Sequence, residues 1–249
     1  MKLEIFPIPG IPEVRPGMDL AREILLALNA THERVRDGDV FAVAQKIVSK
    51  AEGRLRYLPD ILPGPAAREL AAKHEKDPRV IELVLSESRR LVRAADGVII
   101  TETHHGLVCA NAGVDRSNAG APDTVVLLPA DPDASAARLR ADLIRRTGAR
   151  VAVVITDTFG RAWREGQTNV AIGMSGLPAF VKYMGQRDPN DYELRVTEIA
   201  LGDEIAGATE LVMGKLSRQP VAIVRGLVYA PEEEGARTYV RPSGRDLFR

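Results

Sequence analysis

The chain has 249 residues, of which 45% are apolar and 27% are charged, and this is the balance of an ordinary globular protein. Its 34 basic and 34 acidic residues cancel, so no long-range field favours nucleic acid or an anionic membrane as a partner. The single cysteine, Cys109, cannot form an internal disulfide, and the N-terminus lacks the apolar segment of a signal peptide. Since no apolar run reaches the length of a membrane span, we expect a cytoplasmic protein.

The first 90 residues are predicted to form two strands and three helices. Asp19 and Asp77 are residue types that cap helix N-termini, and Pro78 suits the first helical position. In chain order, the predicted elements are a strand over residues 3–8, a helix over 19–29, a strand over 39–48, a helix over 65–75 and a helix over 77–90.

The remainder of the chain mixes short strands with two longer helices. The predicted elements are strands over residues 98–101 and 107–110 around a His104-His105-Gly106 turn, a helix from Asp131 or Asp133 to about 148, a buried strand over 151–156, a helix over 197–213 and a strand over 219–226. Strands and helices do not alternate in a βαβ rhythm, which favours an α+β fold of mixed sheets with packed helices. The stretch 160–176 is rich in glycine and polar residues, and we interpret it as a candidate junction between two subdomains of a single domain over residues 1–249.

One candidate site is the segment NAGVDRSNAG, residues 111–120. Asp115 offers a hard oxygen ligand for magnesium or manganese, and Arg116, Ser117 and Asn118 are donors that suit phosphate. A solvated turn is the alternative, because Asp, Asn, Ser and Gly also dominate turns.

A second candidate is TDTFGRAWREGQTNVAIG, residues 156–173. Asp157 follows an apolar strand, so its carboxylate is expected at the rim of a sheet, and Arg161 and Arg164 flank the single tryptophan, Trp163. The alternative is a helix cap at Asp157 with two surface arginines.

A third candidate is AQKIVSKAEG, residues 44–53, where Lys46 and Lys50 lie four residues apart near Gly53. Lysines near a glycine can hold nucleotide phosphates, although the segment lacks the GxxxxGK[ST] pattern of a P-loop. Two ordinary surface lysines are the alternative. Together, the three segments indicate metal-assisted phosphoryl chemistry without naming a substrate.

The same segments, with LLPADPDASA, ELRVTEIALGDEIA, ELVMGK and the tail RPSGRDLFR, resemble the coenzyme F420-0:L-glutamate ligase family along nearly the whole chain. Ala162 replaces the proline of the family's FGRPWREG form, and DPNDYELRV, with Asp191 and Tyr192, lacks a glycine expected before ELRV. The chain also ends before the flavin-binding domain that is fused to the ligase in longer relatives, so we expect no bound flavin.

The resemblance implies a homodimeric α+β enzyme, with two intertwined subdomains, that uses GTP to join L-glutamate to F420-0 by an amide bond. An acyl-phosphate intermediate is expected, with release of GDP and phosphate, and further glutamate addition stays open. Two alternatives remain: a metal-dependent phosphohydrolase acting on a nucleotide, and a non-catalytic GTP-binding protein.

The resemblance also implies roles for individual residues. Asp115, Asp157, Arg161 and Arg164 are the catalytic candidates. Asp115, Asp157 and Thr158 are the metal candidates, for two divalent ions (Mg²⁺ or Mn²⁺), with K⁺ as a further candidate ion. The residues expected to contact GTP are Pro9, Gly10, Ile11, Pro12, Gln45, Lys46, Lys50, Asn118, Leu211, Val212, Met213, Gly214, Lys215, Leu216, Ser217 and Arg218.

Overall fold

The computed structural model describes residues 2–246 and has the predicted α+β architecture. Its helices within these residues are α1 (Leu20–Ala30), α2 (Gln45–Ala51), α3 (Pro65–Lys73), α4 (Pro78–Ser86), α5 (Pro132–Thr147) and α6 (Leu201–Met213). Its strands are β1 (Glu4–Pro7), β2 (Val40–Ala44), β3 (Leu55–Tyr57), β4 (Ser88–Ala95), β5 (Val98–Thr103), β6 (Val108–Ala110), β7 (Thr124–Val126), β8 (Ala152–Arg161), β9 (Arg164–Ser175), β10 (Phe180–Lys182), β11 (Glu198–Ala200) and β12 (Val221–Arg225).

The main sheet has five strands in the order β1-β12-β2-β8-β9. Only β2 and β8 run parallel, with Val40 opposite Ala152 and Ala44 opposite Thr156, and the other neighbours are antiparallel. β2 ends at Ala44 while β8 continues beyond Thr156, so Gln45 and Asp157 follow the last paired residues of the two strands and line one cleft.

Helices cover both faces of this sheet. Side chains alternate along a strand, so Phe41 and Val153 enter one core with α1, α2 and α5, while Ala42 and Val154 enter a second core with α6. This two-sided burial explains why β2 and the first half of β8 read as continuous apolar runs.

The segment between α2 and α5 has a core of its own. It contains α3, α4, the pair β3-β7 and the sheet β4-β5-β6. Leu58, Ile81, Val84, Ile99 and Leu127 are among its buried side chains. Asp115 pairs with Val126 of β7 through an isolated bridge, and it lines the same cleft as Gln45, which follows β2.

The observed helix ends agree with the capping residues predicted from the sequence. Asp19, Asp77 and Asp131 each accept a backbone hydrogen bond at the start of α1, α4 and α5. Gly148 ends α5 with φ of 74°, a left-handed conformation that glycine adopts without a Cβ clash.

Three sequence predictions need correction. The predicted strand over 39–48 ends at Ala44, and residues 45–51 form α2, because a short apolar run does not separate strand from helix. The stretch 160–176 lies largely in the β8–β9 hairpin, and its role as a junction between subdomains stays a prediction. The predicted helices over 77–90 and 197–213 are shorter, since β4 begins at Ser88 and β11 precedes α6.

Two further points concern the C-terminal motif and the length of the helices. The tail motif of residues 241–249 extends beyond the described residues at 247–249. Within residues 2–246, no helix has the length and apolarity needed to cross a membrane.

Candidate active site

A cleft of about 1220 Å³ lies where the pairing of β2 with β8 ends, at Ala44 and Thr156. The start of α2, the loop that carries Asp115, the middle of the β8–β9 hairpin and the segment after α6 surround it. All three segments predicted to carry chemistry therefore contribute to one cavity.

On the α2 side, Lys46 and Asp115 form an ion pair. Lys46 Nζ lies 2.7 Å from Asp115 Oδ2 and 2.6 Å from Ser117 Oγ. The backbone N–H of Ser117 donates to Asp115 Oδ1 at 2.6 Å. Burial acts to raise the pKa of Asp115, but the hydrogen bonds from Lys46 and Ser117 outweigh it and hold the pKa below its usual value. Asp115 is therefore ionised and held in place before any ligand binds.

Asp157 lies on β8, between Lys46 on the α2 side of the cleft and Lys215 on the α6 side. Burial raises its pKa to about 6, the nearby Asp115 adds to the increase, and the backbone N–H of Thr158 together with Lys46 and Lys215 opposes it. Neither an ion pair nor a hydrogen bond from another side chain within residues 2–246 reaches the Asp157 carboxylate. The helix-cap alternative for Asp157 is wrong, because the residue is in mid-strand and β8 continues to Arg161.

On the α6 side, four polar side chains form a closed circuit. Thr158 Oγ1 donates to Asn169 Oδ1 at 2.6 Å, and Asn169 Nδ2 donates to Glu210 Oε2 at 2.9 Å. Lys215 Nζ lies 3.4 Å from Glu210 Oε1 and also donates to Thr158 Oγ1. Thr158 and Asp157 are successive residues of a strand, so they face opposite sides of the sheet and the cleft reaches around its edge.

Lys50 and Gln45 complete the wall formed by α2. Lys50 is buried and pairs with Glu13 from the N-terminal loop at 2.5 Å, while Gln45 accepts a hydrogen bond from Ser49 at 2.9 Å. The spacing of four residues places Lys46 and Lys50 on one face of α2, which answers the surface-lysine alternative.

The structure brings most of the predicted site residues to the cleft. Those that line it are Ile11, Pro12, Gln45, Lys46, Lys50, Asp115, Asn118, Asp157, Thr158, Met213, Gly214, Lys215, Leu216 and Arg218. Those that do not line it in this chain are Pro9, Gly10, Arg161, Arg164, Leu211, Val212 and Ser217. Arg161 and Arg164 instead flank the exposed tip of the β8–β9 hairpin, where Arg161 donates to the Glu165 carbonyl at 2.7 Å.

Several cleft residues were missed by the sequence interpretation. Glu13, Gln167, Asn169 and Glu210 are polar residues of a loop, a strand and a helix, and no local pattern separates them from ordinary surface residues. Thr156, in the floor of the cleft, has a buried hydroxyl without a hydrogen-bond partner in the described structure.

The donor set at Asp115 and Asp157 fits a divalent ion. Magnesium is commonly bound by one or two carboxylates together with substrate phosphates and water, and both side chains offer hard oxygens. The described residues contain no group of three or more His, Cys, Asp or Glu side chains suited to a metal. A metal here therefore needs oxygens from substrate or water to complete its coordination.

The fold and cleft together define an α+β protein with one large cleft that is lined by ammonium and carboxylate groups. The sequence model for the F420-0:Gamma-glutamyl ligase family matches residues 10–226, and the chain belongs to this family. It is an amide-bond-forming ligase.

Relatives match over essentially the full length. The chain is 48% identical to "Coenzyme F420:L-glutamate ligase" of Methanopyrus kandleri, over 99% of this chain and 98% of that protein. It is 40% identical to the protein of that name from Methanothermobacter thermautotrophicus, with 100% of both chains covered. The identity to the protein of that name from Archaeoglobus fulgidus is 38%, over 100% of this chain and 97% of that protein.

Proposed function

We propose that this protein joins L-glutamate to coenzyme F420-0 through an amide bond and that GTP supplies the free energy. The observation that carries the proposal is the convergence of Lys46, Asp115, Asp157 and Lys215 on one cleft in a chain that matches F420:L-glutamate ligases along its whole length. These residues come from four separate segments, so their meeting is a property of the fold.

The reaction has two steps that together conserve all atoms. A carboxylate oxygen of F420-0 attacks the γ-phosphorus of GTP, which forms an acyl phosphate and releases GDP. The amine of L-glutamate then attacks the acyl carbon, loses a proton and displaces inorganic phosphate. Such a sequence needs charge compensation and alignment of two anionic substrates more than it needs a protein nucleophile.

The chain's own residues suit this demand. Lys46 and Lys50 on α2 and Lys215 after α6 present ammonium groups from two sides of the cleft, where they can orient a triphosphate. Asp115 and Asp157 would hold Mg²⁺ or Mn²⁺, which when bound offsets the negative charge on the phosphates. Bound K⁺, a preference for GTP over ATP and the cytoplasmic location stay predictions.

Mass spectrometry of F420-0 incubated with protein, GTP, Mg²⁺ or Mn²⁺ and L-glutamate tests the proposal. We expect a product heavier by one glutamyl unit, together with equimolar GDP, and a lower kcat/KM when ATP replaces GTP. Longer incubation shows whether more glutamates are added. Rapid release of phosphate from GTP without F420-0 and glutamate would favour a phosphohydrolase, and tight GTP binding without any amide product would favour a non-catalytic protein.

A further inference from the structure

Thr158, the candidate ligand of a second metal, already makes two hydrogen bonds. Its hydroxyl proton goes to Asn169 Oδ1 at 2.6 Å, and its oxygen accepts from the ammonium group of Lys215. A hydroxyl has one proton and two acceptor positions, and one acceptor position of Thr158 is already occupied by the ammonium group of Lys215. A divalent ion at this oxygen would lie beside the ammonium group of Lys215, and the two positive charges would repel each other.

Glu210, the carboxylate on this side of the cleft, is equally committed. Its Oε2 accepts from Asn169 Nδ2 at 2.9 Å, and its Oε1 lies 3.4 Å from Lys215 Nζ. Magnesium requires about six oxygens at roughly 2.0–2.1 Å in near-octahedral geometry. Thr158, Asn169, Glu210 and Lys215 together offer one carboxylate, both of whose oxygens already have partners, and they include a positive charge that would repel a second divalent ion, so these residues do not fit one.

The α2 side of the cleft differs because one of its carboxylates has no side-chain partner in the described residues. Asp157 receives no hydrogen bond or ion pair from another side chain in residues 2–246, and Lys46 pairs with Asp115 and leaves Asp157 open. Two carboxylates with one ammonium leave a net negative charge there. On the α6 side, one carboxylate and one ammonium leave none.

We propose that the ammonium group of Lys215 takes the place of a second divalent ion, so that each cleft binds one Mg²⁺ or Mn²⁺, between Asp115 and Asp157. This inference rests on the proposed function, because the ammonium group of Lys215 would offset the negative charge on the phosphates of GTP. Lys215 follows Gly214, the residue that ends α6 with φ of 57°, and this turn directs the lysine into the cleft. The covalently attached charge is present whatever the concentration of free metal.

Counting bound metal tests the proposal without relying on turnover. Free Mn²⁺ is measured by electron paramagnetic resonance while it is titrated into full-length protein that holds an equimolar, non-hydrolysable GTP analogue. We expect one Mn²⁺ per nucleotide-bound chain in the wild type and two in Lys215→Glu, which replaces the ammonium with a second carboxylate beside Glu210. Lys73→Glu makes the same charge change at an exposed position on α3, remote from the cleft lining, and should keep one.

The outcomes distinguish a failure of the role proposed for Lys215 from a failure of the proposed ligase function. Two Mn²⁺ in a wild-type protein that forms the amide product would overturn the role of Lys215 and leave the ligase function standing. One Mn²⁺ in a folded Lys215→Glu variant would also overturn it. Absence of nucleotide binding and of amide product in the wild type would overturn both.

A second variant gives an independent measurement. Lys215→Met keeps an unbranched side chain but removes the charge, so kcat at saturating Mg²⁺ should fall on the order of 10²-fold, as for other electrostatic deletions. The rate should still depend on metal as for a single site. An unchanged kcat in this variant would contradict a charge-compensating role for Lys215.

Discussion

Asp157 is a half-buried carboxylate whose negative charge the protein itself compensates only in part. Lys46 and Lys215 act on it from two sides, yet burial still raises its pKa to about 6. Asp115, close by, has a lowered pKa because Lys46 and Ser117 bond to it directly. Two carboxylates in one cleft are thus prepared differently, one satisfied by the protein and one open to a ligand.

The first prediction is that Asp157→Asn abolishes most activity without destabilising the fold. Removal of the open carboxylate should lower kcat by about 10²-fold or more, as when other groups that stabilise transition-state charge are deleted. In the metal-free protein, the free energy of unfolding at neutral pH should stay level or increase, because an incompletely compensated buried charge is lost. Activity at saturating metal and urea unfolding in chelator measure the two effects.

The control for this variant is Asp60→Asn, which removes an exposed carboxylate far from the cleft and should leave both quantities near the wild-type values. A folded Asp157→Asn protein with near-normal ligase activity would show that Asp157 is not part of the reacting site.

At the scale of elements, helix starts were the easiest features to predict and sheet membership the hardest. Asp19, Asp77, Asp131 and the glycine at 148 mark helix ends through local hydrogen bonds, so their identity alone is informative. The short strands β3, β7, β10 and β11 have three residues each, too few for a period to appear. β9 was missed because its first half is polar and glycine-containing, which imitates a loop.

Some residues of the candidate site could likewise be predicted from the sequence, and others could not. Lys46, Asp115 and Asp157 could be selected because each sits in a local pattern that suits phosphate or metal. Asn169 and Glu210 could not, since their roles arise only when β9 and α6 pack together. Residues 158 and 169 are neighbours on the β8–β9 hairpin, but residues 210 and 215 lie 41 or more positions further along, and the sequence carries no local sign of the contact between the two pairs.

The second prediction concerns the cap of α4. Asp77 accepts from Arg79 at the backbone N, Nε and Nη2, within 2.8–3.0 Å, and from Arg116 at 3.2 Å. The Arg79 hydrogen bonds hold the pKa of Asp77 at about 2, against the direction of burial. Asp77→Asn keeps a good N-cap but removes the charge and one of the two acceptor oxygens, so it should cost about 1 kcal/mol at pH 7, after allowance for solvent screening.

The sign of its pH dependence follows from the lowered pKa. The carboxylate contributes fully above the unfolded-state pKa of about 3.9, and the contribution is lost as pH falls through about 2. The difference in unfolding free energy between the two proteins should therefore be constant from pH 5 to 8 and shrink below pH 4. Asp131→Asn, at a cap held by a single bond from Ala134, is the comparison and should show a smaller difference. A difference that grows toward acid pH would contradict this account.

At the scale of the whole molecule, the third prediction is a homodimer, which rests on the family resemblance. Several large apolar side chains are largely exposed in the single chain, including Leu62 at 88%, Val196 at 86% and Val228 at 81%. Association would cover part of such surface. Light scattering at micromolar concentration should give about 54 kDa, twice the chain mass of 27.1 kDa. A mass near that of one chain would count against the dimer.

The order of strands makes the stability of the whole molecule depend on its last strand. β12 lies between β1 and β2, so the main sheet is incomplete until residues 221–225 insert. Arg225 fixes this insertion: its Nε and Nη2 each lie 2.9 Å from a different oxygen of Asp39, its Nη1 donates to Glu33 and its guanidinium stacks on Phe6. Asp39 and Arg225 are 186 residues apart, and Asp39 is fully buried.

The fourth prediction is that Arg225→Met lowers the free energy of unfolding by about 3–5 kcal/mol, because it leaves the Asp39 carboxylate buried without its partner. Arg225→Lys should cost less, since it keeps the charge and loses only the two-pronged geometry. The double variant Arg225→Met with Asp39→Asn should recover part of the loss, since the unpaired charge is then removed as well. Urea unfolding of the three variants measures these differences. A loss below about 1 kcal/mol in Arg225→Met would mean that water or a shifted side chain replaces the guanidinium, and that β12 is held by its apolar contacts and ladder alone.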